Sequence, residues 1–114
     1  MAREKVSIQE VKNFVVKPSF DEKVLLSKNP DFPRISVIIP SFNDGDFLEK
    51  TVISCLNQNY PNLELIIQDG GSTDNTVDII KKYKKFITHW SSEKDKGQSD
   101  ALNKGFSKAT GELV

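Results

Sequence analysis

Apolar and polar positions follow two kinds of pattern between residues 35 and 114, one typical of strands and one typical of helices. Segments rich in Ile, Val and Leu, typical of buried strands, cover residues 35–39, where Pro40 ends the run, and residues 63–68. A third strand is predicted over residues 86–91. A last strand begins at residues 112–114, so the pattern predicts three strands and the start of a fourth.

Helical spacing of apolar residues fills the segments between these strands. Asp46 and Glu49 can cap the first helix, a second helix is predicted over residues 74–85, and a third stripe begins at Ala101. The apolar positions that define the three helices are Leu48, Val52, Cys55, Leu56, Val77, Ile80, Tyr83, Ala101, Leu102, Gly105, Phe106 and Ala109. This alternation predicts an α/β fold with a mainly parallel sheet and right-handed crossovers.

The composition fits one ordinary globular domain, preceded by residues 1–33, which we interpret as an N-terminal extension. Lys and Arg total 16, and Asp and Glu total 16, so no general electrostatic force attracts nucleic acid or anionic lipid. We therefore expect no nucleic-acid partner. The sequence shows neither a secretory core nor a membrane-spanning run, which favours a soluble, cytoplasmic protein.

Several common classes of site are excluded by missing residues. Cys55 is the only cysteine and His89 the only histidine, so a disulfide and a Cys or His zinc site are both excluded. His89 is interpreted as structural. A G-x-S-x-G elbow, a Walker loop and a G-x-G-x-x-G motif are absent from the sequence, which argues against serine hydrolases, P-loop enzymes and standard dinucleotide-binding proteins.

A first polar loop follows the strand that ends at Pro40. Pro40 shapes the turn, Ser41 brings a hydroxyl, and the ring of Phe42 can pack against a planar base. A second interpretation is that Phe42 is a core residue and that Asn43, with Asp44, simply makes the turn. Both interpretations stay open on these residues alone.

Asp69 follows the second predicted strand, where a carboxylate can accept hydrogen bonds from a base or from ribose hydroxyls. Gly70 and Gly71 keep that approach free of side chains. Residues 72–74 are best explained as a cap of the next helix. Asp69 has no such simple structural duty, so it is the leading functional candidate.

The third polar loop, residues 92–100, is dense in charge. Its two lysines can neutralise phosphate, and Asp95 and Asp100 can hold hydroxyls. The alternative is a solvated loop in which Ser99 or Asp100 caps the following helix. Loop 92–100 taken alone favours this alternative, but three polar loops at one edge of a parallel sheet weaken it.

The motifs PSFN, YPN, QDGGSTD and DKGQSDALNKG occur in this order within residues 34–114, and together they resemble the start of a family 2 glycosyltransferase. The resemblance implies the Rossmann-like GT-A fold, a mainly parallel sheet with flanking helices, here truncated after the third helix. It implies that Pro40 and Phe42 line a base pocket and that Asp69 hydrogen-bonds the base or the ribose. The nucleotide-sugar-binding residues expected in this way are Pro40, Ser41, Phe42, Asn43, Asp69, Asp95, Gly97 and Asp100.

This chain departs from the common family pattern at three of these loop positions. Many members have a second aspartate where this chain has Gly70, tyrosine in place of Phe42, and proline in place of Lys94. Phe42 keeps a face for stacking but lacks a hydroxyl. The identity of the donor nucleotide therefore stays open among UDP-, GDP- and TDP-sugars.

The activity implied by the resemblance is inverting transfer of a sugar from a nucleotide-sugar donor to a saccharide or lipid-linked acceptor. Polysaccharide or cell-envelope glycan synthesis is the expected setting, in the cytoplasm or at the inner face of the membrane, with peripheral membrane association of the whole enzyme as one option. The divalent metal that the resemblance implies, Mg²⁺ or Mn²⁺, is held in the family by a D-x-D motif.

That motif and the base of the family lie beyond Val114, so neither a catalytic nor a metal-binding residue is expected within the chain. Transfer needs a base for the acceptor hydroxyl and a cation for the departing diphosphate, so we expect no turnover by these residues alone. The alternative is a noncatalytic nucleotide-binding or interaction module that ends at Val114.

Overall fold

The computed structural model describes residues 17–113, which form a parallel four-stranded sheet with helices on both faces. The strands are β1 (Ile35–Ser41), β2 (Leu63–Asp69), β3 (His89–Ser92) and β4 (Glu112–Leu113), in the spatial order β3-β2-β1-β4. The helices are α1 (Glu22–Ser27), α2 (Gly45–Leu56), α3 (Thr76–Lys82) and α4 (Gln98–Lys108). The predicted α/β fold with a parallel sheet is confirmed.

The strand order places the polar loops at a reversal of the chain. From β1 the chain adds β2 and then β3 on one side, and it returns to add β4 on the other side of β1. In open α/β sheets, ligands bind outside the carboxyl ends of the strands near such a reversal. The register of β1 on β2 pairs Ser41 with Asp69, so both strands end at the same level.

Side chains of the two central strands alternate between two different environments. One face of the sheet joins α2 and α3 in an apolar core that includes Ile39, Leu65, Ile67, Leu48, Val52, Leu56 and Ile80. The other face lies under α4, where Gly105 approaches the side chain of Ile38. The predicted faces of α2 and α3 are confirmed at their centres, because Leu48, Val52 and Ile80 are buried. The third predicted face is confirmed at Ala101 but is wrong at Phe106, which is 46% exposed.

Three predicted boundaries are wrong by a few residues. Pro40 lies inside β1, opposite Gln68, and does not end the strand. The helix predicted over residues 74–85 begins at Thr76 and ends at Lys82. The third strand starts only at His89, because residues 86 and 87 form turns through backbone hydrogen bonds to Tyr83 and Lys84.

Helix α1 was not predicted, and it is stabilised by contacts with distant residues. Asp21 caps it, and Leu25 is buried in the core. The amide oxygens of Asn57 and Asn59 accept hydrogen bonds from the backbone of residues 19 and 21 at 2.8 and 2.6 Å. The interpretation of residues 1–33 as an extension stays a prediction, and residues 1–16 lie outside the described part of the chain.

A buried carboxylate fixes the chain as it enters β4. Glu64 is only 3% exposed and accepts hydrogen bonds from Ser36 Oγ, Thr110 N and Thr110 Oγ1, each at 2.8 Å. Burial alone would raise the pKa of Glu64, but the hydrogen bonds from Thr110 and Ser36 outweigh it and lower that pKa. The backbone N–H of Gly111 donates to Ser36 Oγ at 2.9 Å. Glu64 therefore sets the register of β4 on β1.

No helix within residues 17–113 is long and apolar enough to cross a bilayer.

Gly105 provides the first test of this packing. A Cβ at this position would lie 2.4 Å from Ile38 Cγ2, so Gly105→Ala forces the helix away from the sheet. We expect urea unfolding to show a loss of about 1–2 kcal/mol, although alanine favours an exposed helix by about 1 kcal/mol over glycine.

Asn103→Ala, at an exposed position of the same helix, is the matched control and should not destabilise the protein. Adding Ile38→Ala to Gly105→Ala should cost less than the sum of the two single changes. Stabilisation by Gly105→Ala alone would contradict the close approach.

Candidate functional site

The loops that follow β1, β2 and β3 meet at one edge of the sheet. We call them loop 1 (residues 42–44), loop 2 (residues 70–75) and loop 3 (residues 93–97). The N–H of Gly70 donates to the carbonyl of Ser41, and the N–H of Glu93 donates to the carbonyl of Asp69, both at 2.9 Å. The parallel ladder therefore continues past the strand ends and holds the three loops side by side.

The three loops and the start of α4 surround a cavity of about 650 Å³. Its lining consists of Pro40, Ser41, Phe42, Gly70, Gly71, Lys94, Asp95, Gly97 and Ala101. Of the predicted site residues, Pro40, Ser41, Phe42, Asp95 and Gly97 belong to this lining, whereas Asn43, Asp69 and Asp100 lie outside it. The sequence therefore predicted the location of the cavity but mixed residues that face it with residues that support it.

Phe42 is the most exposed aromatic side chain at the cavity. Phe42 is 62% exposed, so its interpretation as a core residue is wrong. Strand β1 ends one residue earlier, and the ring lies at the cavity. An exposed ring of this kind is available for stacking on a flat ligand.

Asp69 is buried beneath the cavity and serves the protein itself. Its side chain is 1% exposed. Oδ1 accepts hydrogen bonds from Ser41 Oγ at 2.8 Å and Ser72 Oγ at 2.5 Å, and Oδ2 accepts from Gly71 N at 3.1 Å, Ser72 N at 2.7 Å and Ser92 Oγ at 2.7 Å. The expectation that Asp69 has no structural duty is therefore wrong, because this carboxylate joins β1, loop 2 and β3.

These hydrogen bonds keep the Asp69 carboxylate charged. Burial alone would raise its pKa, but the hydrogen bonds from Ser72, Ser92 and Ser41 outweigh burial and hold the pKa below the usual value of an aspartate. Its contribution to stability is therefore present above the pKa of an unfolded aspartate and is lost as the pH falls through the folded pKa.

Asn43 locks loop 1 to loop 2. Its backbone is left-handed, with φ of 46°, a conformation that asparagine tolerates better than most residues. The side-chain Oδ1 accepts from Thr73 N at 2.7 Å, and the backbone N–H of Asn43 donates to Ser72 Oγ at 2.8 Å. Asn43 therefore makes the turn, as the second sequence interpretation stated, and positions Phe42 beside it.

Residues 72–74 cap α3 only in part. Asp74 accepts a hydrogen bond from Thr76 N at 2.9 Å, which satisfies a free donor at the start of the helix. The hydrogen bond from the Thr76 hydroxyl is the main cause that lowers the pKa of Asp74. Ser72 and Thr73 bind Asp69 and Asn43 instead, so the cap expectation holds for one residue of the three.

Loop 3 is shaped by two carboxylates. Asp95 Oδ1 accepts from Gly97 N at 2.9 Å, and Asp100 Oδ2 accepts from Lys96 N at 3.0 Å. Lys104 pairs with Asp100 at 3.4 Å and with Glu93 at 3.3 Å, which ties α4 to the start of the loop. Asp100 therefore holds the loop, whereas Asp95 also faces the cavity.

Sequence reasoning did not identify Ser92 as part of this arrangement. Its hydroxyl donates to Asp69, and its backbone pairs with Asp69 across β2 and β3. The available signal was positional, because Ser41, Asp69 and Ser92 each stand at the end of a strand.

The described residues do not offer a metal site. Within residues 17–113, no group of three or more His, Cys, Asp or Glu side chains is arranged to hold an ion. Asp69 also has both oxygens occupied by protein donors, so it is not free to act as a metal ligand.

Most of the chain is similar in sequence to known proteins. The model of the family "Glycosyl transferase family 2" matches residues 36–114. An uncharacterised glycosyltransferase of Haemophilus influenzae is 38% identical over 91 residues, covering 74% of this chain and 35% of that protein. A putative teichuronic acid biosynthesis glycosyltransferase of Bacillus subtilis is 42% identical over 85 residues, covering 72% of this chain and 34% of that protein.

A third relative, the poly-β-1,6-N-acetyl-D-glucosamine synthase of Staphylococcus epidermidis, is 32% identical over 107 residues, covering 89% of this chain and 25% of that protein. Among solved structures, a mannosyltransferase of Pyrobaculum calidifontis in complex with GDP-Man and Mn²⁺ matches with a TM-score of 0.65 and 29% identity. The match covers 71% of this chain and 26% of that protein. The chain thus spans about a third or less of the proteins that it resembles.

Asp69→Asn tests the supporting role of the buried carboxylate. We expect a loss of about 2 kcal/mol at pH 7 in urea unfolding, because charge-assisted hydrogen bonds are replaced by weaker ones. The parent should lose stability as the pH falls below about 5, whereas the variant lacks this contribution, so the two should converge in acid.

Asp31→Asn, at an exposed aspartate, is the control and should change stability by less than about 0.5 kcal/mol at either pH. A constant gap between Asp69→Asn and the parent from pH 7 to pH 3 would contradict the assigned role.

Asn43→Gly and Asn43→Ala separate two contributions of Asn43 to stability, the side-chain hydrogen bond to loop 2 and the left-handed backbone. Glycine keeps the left-handed backbone and loses only the amide, at a cost of about 1 kcal/mol. Alanine also pays for the positive φ, which adds about 1 kcal/mol. Chemical denaturation of the two variants measures the difference, and equal losses would show that the left-handed backbone carries no strain.

Proposed function

This chain belongs to glycosyl transferase family 2, and from that membership we propose that it forms the donor-binding side of a sugar transferase. The donor is a nucleotide-sugar, and the acceptor is a saccharide or a lipid-linked saccharide in glycan biosynthesis. The observation that supports the proposal best is the cavity at the ends of β1, β2 and β3, which combines an exposed aromatic ring, a carboxylate and an ammonium group. The match to the mannosyltransferase with GDP-Man supports the GT-A fold and the donor class.

Phe42 supplies the stacking surface for the base in this proposal. Its ring stands at the cavity rim and is exposed, and the lock at Asn43 fixes the backbone beside it. Stacking of a base on an aromatic side chain contributes about 1–3 kcal/mol. A ring whose backbone is fixed in advance loses less entropy when the ligand binds.

Lys94 supplies positive charge for the diphosphate. It lines the cavity, and within residues 17–113 no carboxylate forms an ion pair with it. Its ammonium group is therefore available to a ligand phosphate, which it can bind as a mobile point charge. The start of α4 lies in the same wall through Gly97 and Ala101, and free N–H groups at a helix start also favour an anion.

The proposed reaction inverts the configuration at the sugar carbon that leaves the donor. Such a transfer requires a base for the acceptor hydroxyl, and for the whole protein we propose Mg²⁺ or Mn²⁺ as the cation that stabilises the departing diphosphate. Within residues 17–113, no group of three or more His, Cys, Asp or Glu side chains is arranged to hold that cation. The contribution that we assign to this chain is therefore to bind and orient the nucleotide.

Calorimetric titration of the purified protein with UDP, GDP and TDP tests the proposal. We expect at least one of the three to bind, and we expect Phe42→Ala to weaken that binding roughly ten-fold, because the stacking face is removed. Phe106→Ala is the matched control, since Phe106 is 46% exposed on α4 and does not line the cavity.

The control and Phe42→Ala are expected to differ in nucleotide affinity. Phe106→Ala should bind like the parent. Absence of binding for all three nucleotides by the folded parent would refute the donor-binding proposal, whereas equal binding by Phe42→Ala would refute only the stacking role.

A further inference from the structure

We propose that Asp95, and not Asp69, is the carboxylate that binds the nucleotide base, and that Gly70 keeps open the space in which it does so. This inference rests on the proposed function, because it concerns the same cavity. It also defines the class of base: one whose ring nitrogen carries a hydrogen, as in uracil, thymine and guanine.

Asp69 has no acceptor capacity left for a ligand. A carboxylate has about four lone-pair positions, and Asp69 already accepts five hydrogen bonds from the protein. Its side chain is also 1% exposed and does not belong to the cavity lining. A base could reach it only by displacing the contacts that hold the loops together.

Asp95, by contrast, can accept further hydrogen bonds, and it lines the cavity. Its Oδ1 accepts from Gly97 N, while none of the groups that the structure describes, which exclude the side chain of residue 98, donates to Oδ2. Lys94 and Lys96 are its neighbours in sequence, yet neither forms an ion pair with it. The free oxygen therefore remains available to a donor on the ligand.

Gly70 lies directly against the Asp95 carboxylate. A Cβ on Gly70 would lie 3.1 Å from both Oδ1 and Oδ2 of Asp95, which is closer than ordinary contact. Gly70 is itself buried and its N–H is held by Ser41, so its backbone cannot easily move aside. The absence of a side chain at position 70 is therefore what lets the Asp95 carboxylate occupy the floor of the cavity.

The chemistry of a carboxylate then selects the base. An ionised carboxylate only accepts hydrogen bonds, so it matches the N3–H of uracil or thymine and the N1–H and 2-amino group of guanine. Cytosine and adenine present a ring nitrogen acceptor at the corresponding position, which opposes a second acceptor. An asparagine would present both a donor and an acceptor and would discriminate less.

Calorimetry with UDP, GDP, TDP, CDP and ADP tests this assignment on the parent and on Asp95→Asn. We expect the parent to prefer UDP, GDP or TDP, and Asp95→Asn to weaken the preferred nucleotide roughly ten-fold. In Asp95→Asn, we also expect the ratio of the affinity for the preferred nucleotide to the affinity for CDP to fall toward one. The melting temperature should stay close to that of the parent, because the asparagine oxygen can still accept from Gly97 N.

Moving the carboxylate from position 95 to position 70 gives an independent test. Gly70→Asp alone should weaken binding, since it places a second carboxylate against Asp95. Gly70→Asp combined with Asp95→Gly returns a single carboxylate to the same space, and it should recover binding and the preference over CDP relative to Gly70→Asp. Asp78→Asn, at an exposed position on α3, is the control for charge and should bind like the parent.

The outcomes separate the inference from the function that it rests on. If the folded parent binds none of the five nucleotides, the proposed function fails. If the parent binds and Asp95→Asn keeps both the affinity and the base preference, the function stands and the role of Asp95 is wrong. If the double variant binds no better than Gly70→Asp, the space-sharing by Gly70 and Asp95 is wrong.

Discussion

The buried carboxylate of Asp69 is the contact on which the rest of the site depends. A charged group is costly to bury unless hydrogen bonds compensate it, and here five donors from β1, loop 2 and β3 do so. The same donors would have no common partner without it. Loop 2 could then adopt many conformations, and Phe42 would lose the neighbouring loop to which Asn43 fastens it.

A second buried carboxylate repeats this solution at the opposite end of the same strand. Glu64 and Asp69 both belong to β2, and both have pKa values held below the usual range by hydrogen bonds that outweigh burial. Glu64 fastens the chain that enters β4, whereas Asp69 fastens the loops of the cavity. The apolar core lies between them, so β2 combines a hydrophobic middle with two polar ends that determine connectivity.

Local patterns predicted the architecture because strand and helix periods are local properties. The runs at residues 35–39 and 63–68 and the stripe through Leu48 and Val52 identified the sheet and the helix that covers it. Helix α1 was missed because it is six residues long and depends on distant contacts such as those to Asn57 and Asn59. The duty of Asp69 was missed for the same reason, since its donors come from three separate segments.

Gly70 and Asp95 have a consequence for how this pocket can diverge. A side chain at position 70 would compete with that of Asp95 for the same volume. The effect of a substitution at either position therefore depends on the residue at the other. A lineage that acquires an acid at position 70 first passes through a crowded pocket, and one that loses Asp95 first passes through a pocket without an inward carboxylate. Such epistasis means that the order of the two substitutions determines which intermediate pocket occurs between the two arrangements.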